Sequence, residues 1–297
     1  MSFSYETKAE LCRVPVRKLC CARAEAYGIL LYCNTFHPAQ VRIITENPAF
    51  AARLPGLFQR AFSLRFDSLP QPDQPGKMIF RLTNREKLRR VDETLGYEKS
   101  PALHINFALL EEDCCRAAFL RGAFFAGGSV TDPAKRYHLE LDTSHAPVGR
   151  EMEVLLRDMD CQPKTIFRNG SFVTYFKQSE QIEDFLTLIG APLAAMKIMN
   201  AKVEKDIRNR VNRRFNCDNA NVDKVVEASR EQMEAIRKLQ AASRLGQLSD
   251  KLQLTAALRL EYPELSIGDL AAEFDPPVTK SCLSHRLRKL TELAKEL

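Results

Sequence analysis

The sequence predicts an α+β protein, a duplicated helix-and-strand domain followed by an all-helical one. Three observations lead there. The first two thirds of the chain carry one arrangement written twice: helix, strands, helix, hairpin, helix. Strand signals then vanish near residue 198, and the remainder keeps a helical period. The chain has 297 residues, more than one ordinary core organises, so two domains are expected, at 1–198 and 199–297. Apolar residues make up 45% and charged residues 28%, which excludes a wholly disordered polypeptide.

The first repeat, expected at about 1–100, opens with an apolar helix, Ala22–Tyr32, that ends at Asn34. A strand follows at Val41–Thr45, then a helix near Ala49–Arg60. Strands around Leu64–Asp67 and Lys77–Thr83 and a helix, Arg85–Leu95, complete it. The second repeat, expected at about 101–198, begins with the apolar helix Cys114–Ala126, stopped by Gly127-Gly128. In its strand Tyr137–Asp142, the apolar Tyr137, Leu139 and Leu141 alternate with polar residues. A helix near Val148–Met159 precedes a hairpin of Thr165–Arg168 and Phe172–Lys177, and Glu180–Ile189 closes the unit. The hairpin turns at Asn169-Gly170, the strongest short-range signal for one.

Beyond residue 198 every element reads as a helix. Val203, Ile207, Val211 and Phe215 form an apolar stripe, with Asn209, Asn212 and Asn216 on a different face. The polar stretch Asn216–Asn221 is expected to break the chain and cap a new helix. That helix would turn Val222, Val225, Val226, Ile236 and Leu239 inward. Helices near Asp250–Leu260, Ser266–Phe274 and Lys280–Glu296 follow, separated by Pro263 and Pro276-Pro277.

Most chemistry is excluded. No apolar run approaches the roughly 18–20 residues of a membrane span, and Met1–Glu6 lacks the basic and apolar regions of a signal peptide. The nine cysteines include the adjacent pairs Cys20–Cys21 and Cys114–Cys115 but no zinc-type spacing. They are expected to be free thiols that act as small buried hydrophobes in a cytosolic protein. His37, His104, His138, His145 and His285 show no ligand spacing, and no Walker A, G-x-G-x-x-G, H-E-x-x-H or G-x-S-x-G motif occurs. No enzyme, cofactor or metal site is expected.

What remains is basic charge in two places. The 44 Lys+Arg against 38 Asp+Glu leave +6. Between Lys197 and Cys217 stand Lys197, Lys202, Lys205, Arg208, Arg210, Arg213 and Arg214 against Glu204 and Asp206, seven minus two, or +5. Arginine interleaved with asparagine suits contacts to phosphates and base edges, although the same run would serve as a solvated helix face. The second place is the C-terminus. Leu265–Phe274 reads as a short capped helix, Asp275–Val278 as a turn, and the segment from Thr279 as a second helix with Leu283, Leu287 and Leu290 inward. Lys280, Ser281, Ser284, His285 and Arg288 lie on or near its opposite face, and no acid occurs from Pro276 to Thr291. This pattern, at about 266–291, fits a helix-turn-helix whose second helix enters the major groove; an ordinary helical hairpin is the plainer alternative. Lys280, Ser281, Ser284, His285 and Arg288 are candidate base readers. Arg286, Lys289, Arg208, Arg210, Arg213 and Arg214 are candidates for phosphate positioning.

The segment Leu120–Val130 resembles the LAGLIDADG motif of homing endonucleases, and Ala26–Asn34 occupies the equivalent place in the first repeat. Two such helices would pack at the centre of a pseudo-dimer, with Gly28 and Gly122 letting their backbones approach. In the enzymes an acid ending each helix binds the catalytic metals. Here those positions are Cys33 and Gly127, so nuclease chemistry is unsupported. Over its whole length, from Met1-Ser2-Phe3-Ser4 on, the chain resembles the WhiA sporulation and cell-division regulators of Gram-positive bacteria. The most specific parts are the degenerate motif, Arg208–Asn221, Pro276–Ser281 and His285–Leu290. The resemblance implies an inactive homing-endonuclease fold joined to a DNA-binding helix-turn-helix. It further implies a sequence-specific transcriptional regulator of sporulation, cell division or chromosome segregation, cytoplasmic and nucleoid-associated. Double-stranded DNA is the expected partner, with another transcription factor or RNA polymerase as a conceivable second and no membrane. The alternative is a protein-interaction module of the division machinery whose DNA binding is incidental.

Overall fold

The computed structural model describes residues 2–71, 76–97 and 102–297. Two compact units divide them, Met1–Lys205 and Asp206–Leu297. The expected seam between the repeats, at 100/101, lies outside the described residues.

The first unit starts with a helix the sequence reading did not anticipate, α1 (Phe3–Leu11), capped by the Ser2 hydroxyl, which accepts from Tyr5 N–H. Then come α2 (Leu19–Tyr32), β1 (Thr35–His37), β2 (Gln40–Thr45), α3 (Pro48–Phe62), β3 (Met78–Leu82) and α4 (Arg85–Leu95). Asn47 and Asn84 cap α3 and α4, and Gly96, in the left-handed region, ends α4. The second repeat runs α5 (Asp113–Gly127), β4 (Gly128–Val130), β5 (Leu139–Thr143), α6 (Ala146–Arg157), β6 (Lys164–Arg168), β7 (Ser171–Phe176) and α7 (Ser179–Ile189). Antiparallel sheets form in the orders β1-β2-β3 and β4-β5-β7-β6. Asn169 and Gly170 both take positive φ, 51° and 81°, the geometry of the expected hairpin turn. One expected strand is absent. Leu64–Asp67 makes no strand, and only the isolated bridge Ser68↔Arg81 marks where it would pair with β3.

At the centre α2 packs along α5. A Cβ on Gly28 would collide with the Phe119 carbonyl, and one on Gly122 with that of Glu25. Glycine is needed at both crossings. Alanines, leucines and phenylalanines of both repeats, with Ile198 beyond them, build one continuous core around this pair. Within it Glu25, fully buried, receives Arg53 on both carboxylate oxygens (2.5 and 3.0 Å) and Arg121 at 2.8 Å.

The polar stretch Asn216–Asn221 does not interrupt the chain. One helix, α8, runs from Pro192 to Ala241. No glycine or proline occurs between Leu193 and Ala241. Asparagine and aspartate cost a helix only about 0.7 kcal/mol each, too little to stop it. Its residues 206–227 are exposed throughout. Val222, Val225 and Val226, expected inward, are therefore solvent-facing, whereas Ile236 and Leu239 are buried as expected. The second unit's core joins Ala235, Ile236 and Leu239 to α9 (Asp250–Glu261), α10 (Ile267–Ala272) and α11 (Lys280–Lys295).

Candidate nucleic-acid interface

The terminal helices are built tightly from local signals. Ser266 caps α10, accepting from Asp269 N–H at 3.3 Å and donating to the Asp269 carboxylate at 2.7 Å. Thr279 caps α11 by accepting from Cys282 N–H at 3.2 Å. Between the helices Val278 N–H donates to the Ala271 carbonyl at 3.0 Å, tying the turn to α10. Leu270, Ala271 and Phe274 meet Leu283, Leu287, Leu290 and Ala294 in the core. Arg259 holds this unit from the other side. Its guanidinium is buried, which lowers its pKa, and it donates to Gln232 Oε1 (2.8 Å) and the Leu265 carbonyl (2.7 Å).

With the leucines inward, the opposite face of α11 is set. Lys280, Ser281, Ser284, His285, Arg288 and Lys289 are all exposed. Arg286 departs from them. It is half-buried on the flank, its guanidinium 5.6 Å from the Phe274 ring centre, so packing takes part of its surface. Arg288 makes an exposed i,i+4 pair with Glu292 at 3.5 Å, an interaction worth little that a nucleic acid could replace.

The basic run of α8 separates into two sets. Lys197 pairs with Glu6 at 2.7 Å, Lys202 with Glu180, and Lys205 donates to the Pro133 carbonyl while lying over Tyr137. Those three lysines are engaged within the first unit. Arg208, Arg210, Arg213 and Arg214 belong to the second unit, are exposed and make no ion pair among the described residues. At 3.6 residues per turn, Arg210, Arg213 and Arg214 share a sector of about 100°, and Arg208 points elsewhere. The apolar row Val203, Ile207, Val211 and Phe215 is also exposed, each at 58–64%.

The ends of α2 and α5 do not fit divalent metals. Cys33 is half-buried, its sulfur 3.2 Å from the Leu30 and Thr35 carbonyl oxygens, and burial pushes its thiol up to about 12. A Cβ on Gly127 would run into the Asp142 carbonyl and the Tyr32 ring, so the space a carboxylate would need is filled. Hard cations such as magnesium prefer oxygen ligands, and neither position supplies one.

Comparison with known proteins places the parts. A model of the WhiA LAGLIDADG-like domain matches residues 116–208, and one of the WhiA C-terminal helix-turn-helix domain matches 211–294. A probable cell division protein WhiA of Ruminiclostridium cellulolyticum is 36% identical across 100% of this chain and 98% of its own length. The chain belongs to the WhiA family. A further WhiA relative, from Desulforudis audaxviator, is 37% identical over the same shares of the two chains. The crystal structure of full-length DUF199/WhiA from Thermotoga maritima superimposes with a TM-score of 0.61 at 22% identity, covering 100% of this chain and 99% of that one. It shows that the WhiA fold is shared.

Two features of this WhiA chain escaped the sequence reading. In the first sheet Arg42 and Arg81 are direct cross-strand partners, and Arg42 Nε is buried with no hydrogen-bond partner among the described residues. Like charges so placed repel unless an anion joins them. The sequence could show Arg42 in a strand, but only the register sets Arg81 beside it. In the second sheet the strand arginine has an acid partner, since Glu140 accepts from Arg168 at 2.9 Å and faces His138 at 3.1 Å. The other missed feature is a meeting of cysteines. Cys115 and Cys161 are buried and Cys12, Cys21, Cys33 and Cys114 pack half-buried against the core, whereas Cys20 and Cys217 are exposed, so the expectation of buried hydrophobes fails for those two.

Proposed function

We propose that this WhiA-family chain is a sequence-specific DNA-binding transcriptional regulator of sporulation, cell division or chromosome segregation, acting in the cytoplasm on the nucleoid and without nuclease activity. The observation that carries it is the exposed, acid-free first half of α11, held rigid by buried Leu283, Leu287 and Leu290 in a helix-turn-helix. Lys280, Ser281, Ser284, His285 and Arg288 would read bases. Lys289, Arg210, Arg213 and Arg214 would meet phosphates, with Arg208 from another side and Arg286 only at the margin. In this reading residues 199–297 form the DNA-binding domain, and Arg42 and Arg81 of the 1–198 domain add a phosphate contact.

The test compares a preferred duplex, selected from a random pool, with an unrelated one. Arg288→Ala should cost about 1–3 kcal/mol on the preferred duplex and much less on the other. Arg213→Ala should weaken both alike and flatten the dependence of log affinity on log salt by roughly one. Equal losses for Arg288→Ala, with the fold intact, would demote it to a phosphate clamp. Incubated with magnesium or manganese, the protein should leave the preferred duplex whole, because Gly127 and Cys33 offer no carboxylate. The second reading, a protein-interaction module of the division machinery, draws on the exposed row Val203, Ile207, Val211 and Phe215. Loss of all sequence preference in a folded, full-length chain would favour it.

A further inference from the structure

The pseudo-symmetry of the first unit creates a cluster that neither repeat has alone. Cys20 and Cys21 are the second and third residues of α2, and Cys114 and Cys115 are the second and third of α5. Gly28 and Gly122 each follow the first cysteine of their pair by eight residues. The glycine crossing that brings the helices together therefore brings both cysteine pairs to one end of the helix pair. Their four sulfur atoms all lie within 4.8 Å of one another.

We infer that Cys20, Cys21, Cys114 and Cys115 bind a single soft divalent cation, zinc by preference, as a tetrathiolate that clips the two repeats together. The donor set is the one zinc takes in structural sites. With Zn–S near 2.3 Å, a tetrahedral site holds sulfurs about 3.8 Å apart, which the cluster reaches by closing about 1 Å. A polynuclear iron–sulfur cluster inserts its own iron and sulfide atoms between the cysteines and needs a wider span.

Electrostatics favour the same occupant. Two helix N-termini aim their amide dipoles at the sulfurs and stabilise thiolate. Lys18 Nζ stands 4.0 Å from Cys114 Sγ, a further positive charge, with Glu112 and Asp113 at the start of α5 as opposing acids. Burial opposes ionisation of Cys20, but hydrogen bonds from the Cys115, Cys21 and Cys114 thiols leave its pKa lowered. Burial and the neighbouring thiols push Cys21 up to about 11 and raise Cys115 as well. A divalent ion offsets the cost of deprotonation, and the thiol protons leave to solvent as it binds. Cys20 is exposed and Cys115 buried, so the site has both an entrance and a floor.

The test uses the reduced full-length chain, stripped by chelator and titrated with zinc or cobalt. Uptake should saturate at about one ion per chain. Cobalt should give the intense visible bands of a tetrahedral thiolate complex and a thiolate-to-cobalt charge-transfer band. The double variant Cys20→Ser/Cys115→Ser should lose those bands, whereas Cys217→Ser, on exposed α8, should keep them. If the double variant does not fold, protection of the parent protein decides. Zinc should then shield four of the nine thiols from an alkylating reagent, and peptide mapping should place them at 20, 21, 114 and 115. No thiolate bands in the folded parent, shielding at other cysteines, an iron–sulfur chromophore, or bands that survive in the folded double variant would each overturn the assignment.

Discussion

Replacing Glu25 by glutamine should destabilise the first unit by about 3–5 kcal/mol, because it leaves buried cations without their anion. The side chain of Glu25 is wholly buried, and those of Arg121 and Arg53 are 8% and 13% exposed. Both carboxylate oxygens are used, Oε1 by Arg53 Nε and Oε2 by Arg53 NH2 and Arg121 Nε. An amide keeps the shape but offers one acceptor, and its NH2 group faces guanidinium donors. For a unit of this size the loss corresponds to roughly 10 °C in melting temperature. Tyrosine fluorescence follows it selectively, since the chain has no tryptophan and every tyrosine except Tyr262 belongs to the first unit. Arg121→Met should cost less, because Glu25 keeps Arg53. Its coupling to Glu25→Gln in a double-mutant cycle should be at least about 0.5 kcal/mol. A Glu25→Gln protein that unfolds within about 1 kcal/mol of the parent would refute the reasoning and show that water reaches the triad.

Gly28→Ala should destabilise by about 1–3 kcal/mol or more, since the Phe119 carbonyl must move. Gly56→Ala, with nothing near its Cβ in α3, should instead stabilise by about 0.5–1 kcal/mol in urea titrations. Burial works against the Asp67 carboxylate, but Lys87 and the Thr83 and Asn84 amides outweigh it and hold its pKa at about 2. A folded pKa below the unfolded value means stability present above about pH 4 and lost as pH falls toward 2. Asp67→Asn should remove part of that acid slope in unfolding measured across the range. Leu287→Ala should open the second core at about 2–5 kcal/mol and lower binding to every duplex alike, read by helix melting and by binding to both duplexes.

Most of the architecture was legible because it is locally encoded. The Asn-Gly turn, the helix starts at Ser266 and Thr279, and the inward leucines of α11 each state their structure within a few residues. The failures have identifiable physics. Asn216–Asn221 resembles a capping segment, but helix continuity depends on whether anything stronger competes, and no glycine or proline does. Leu64–Asp67 has strand composition, yet a strand needs a partner in register, and β3 engages this segment only at its end, where Asp67 N–H donates to the Arg81 carbonyl at 2.9 Å beside the isolated bridge at Ser68. Glu25 lies in an apolar helix, where its two arginines, at sequence distances of 28 and 96 residues, cannot be inferred. The same limit hid the cysteine cluster. Spacing rules look for ligands within one segment, and here symmetry supplies the second pair.

That symmetry also explains why the loss of the acids is not a single step from reversal. At α5 the position is Gly127, and the space a side chain would take there is occupied by the Asp142 carbonyl and the Tyr32 ring. Tyr32 belongs to α2, so one repeat has closed the site of the other. At α2 the corresponding residue, Cys33, has its sulfur beside the Leu30 carbonyl of α2 and the Thr35 carbonyl of β1. Restoring an aspartate at Gly127 would collide with backbone before it could meet a metal, and at Cys33 it would leave a carboxylate against two carbonyl oxygens. The buried triad and the glycine crossing stiffen the same helix pair. A nuclease of this fold needs room and open coordination at the helix ends, whereas a scaffold that carries a helix-turn-helix needs only a well-packed pair. Glu25, Gly28 and Gly122 satisfy the second requirement, and the Tyr32 ring and the Asp142 carbonyl beside Gly127 oppose the first.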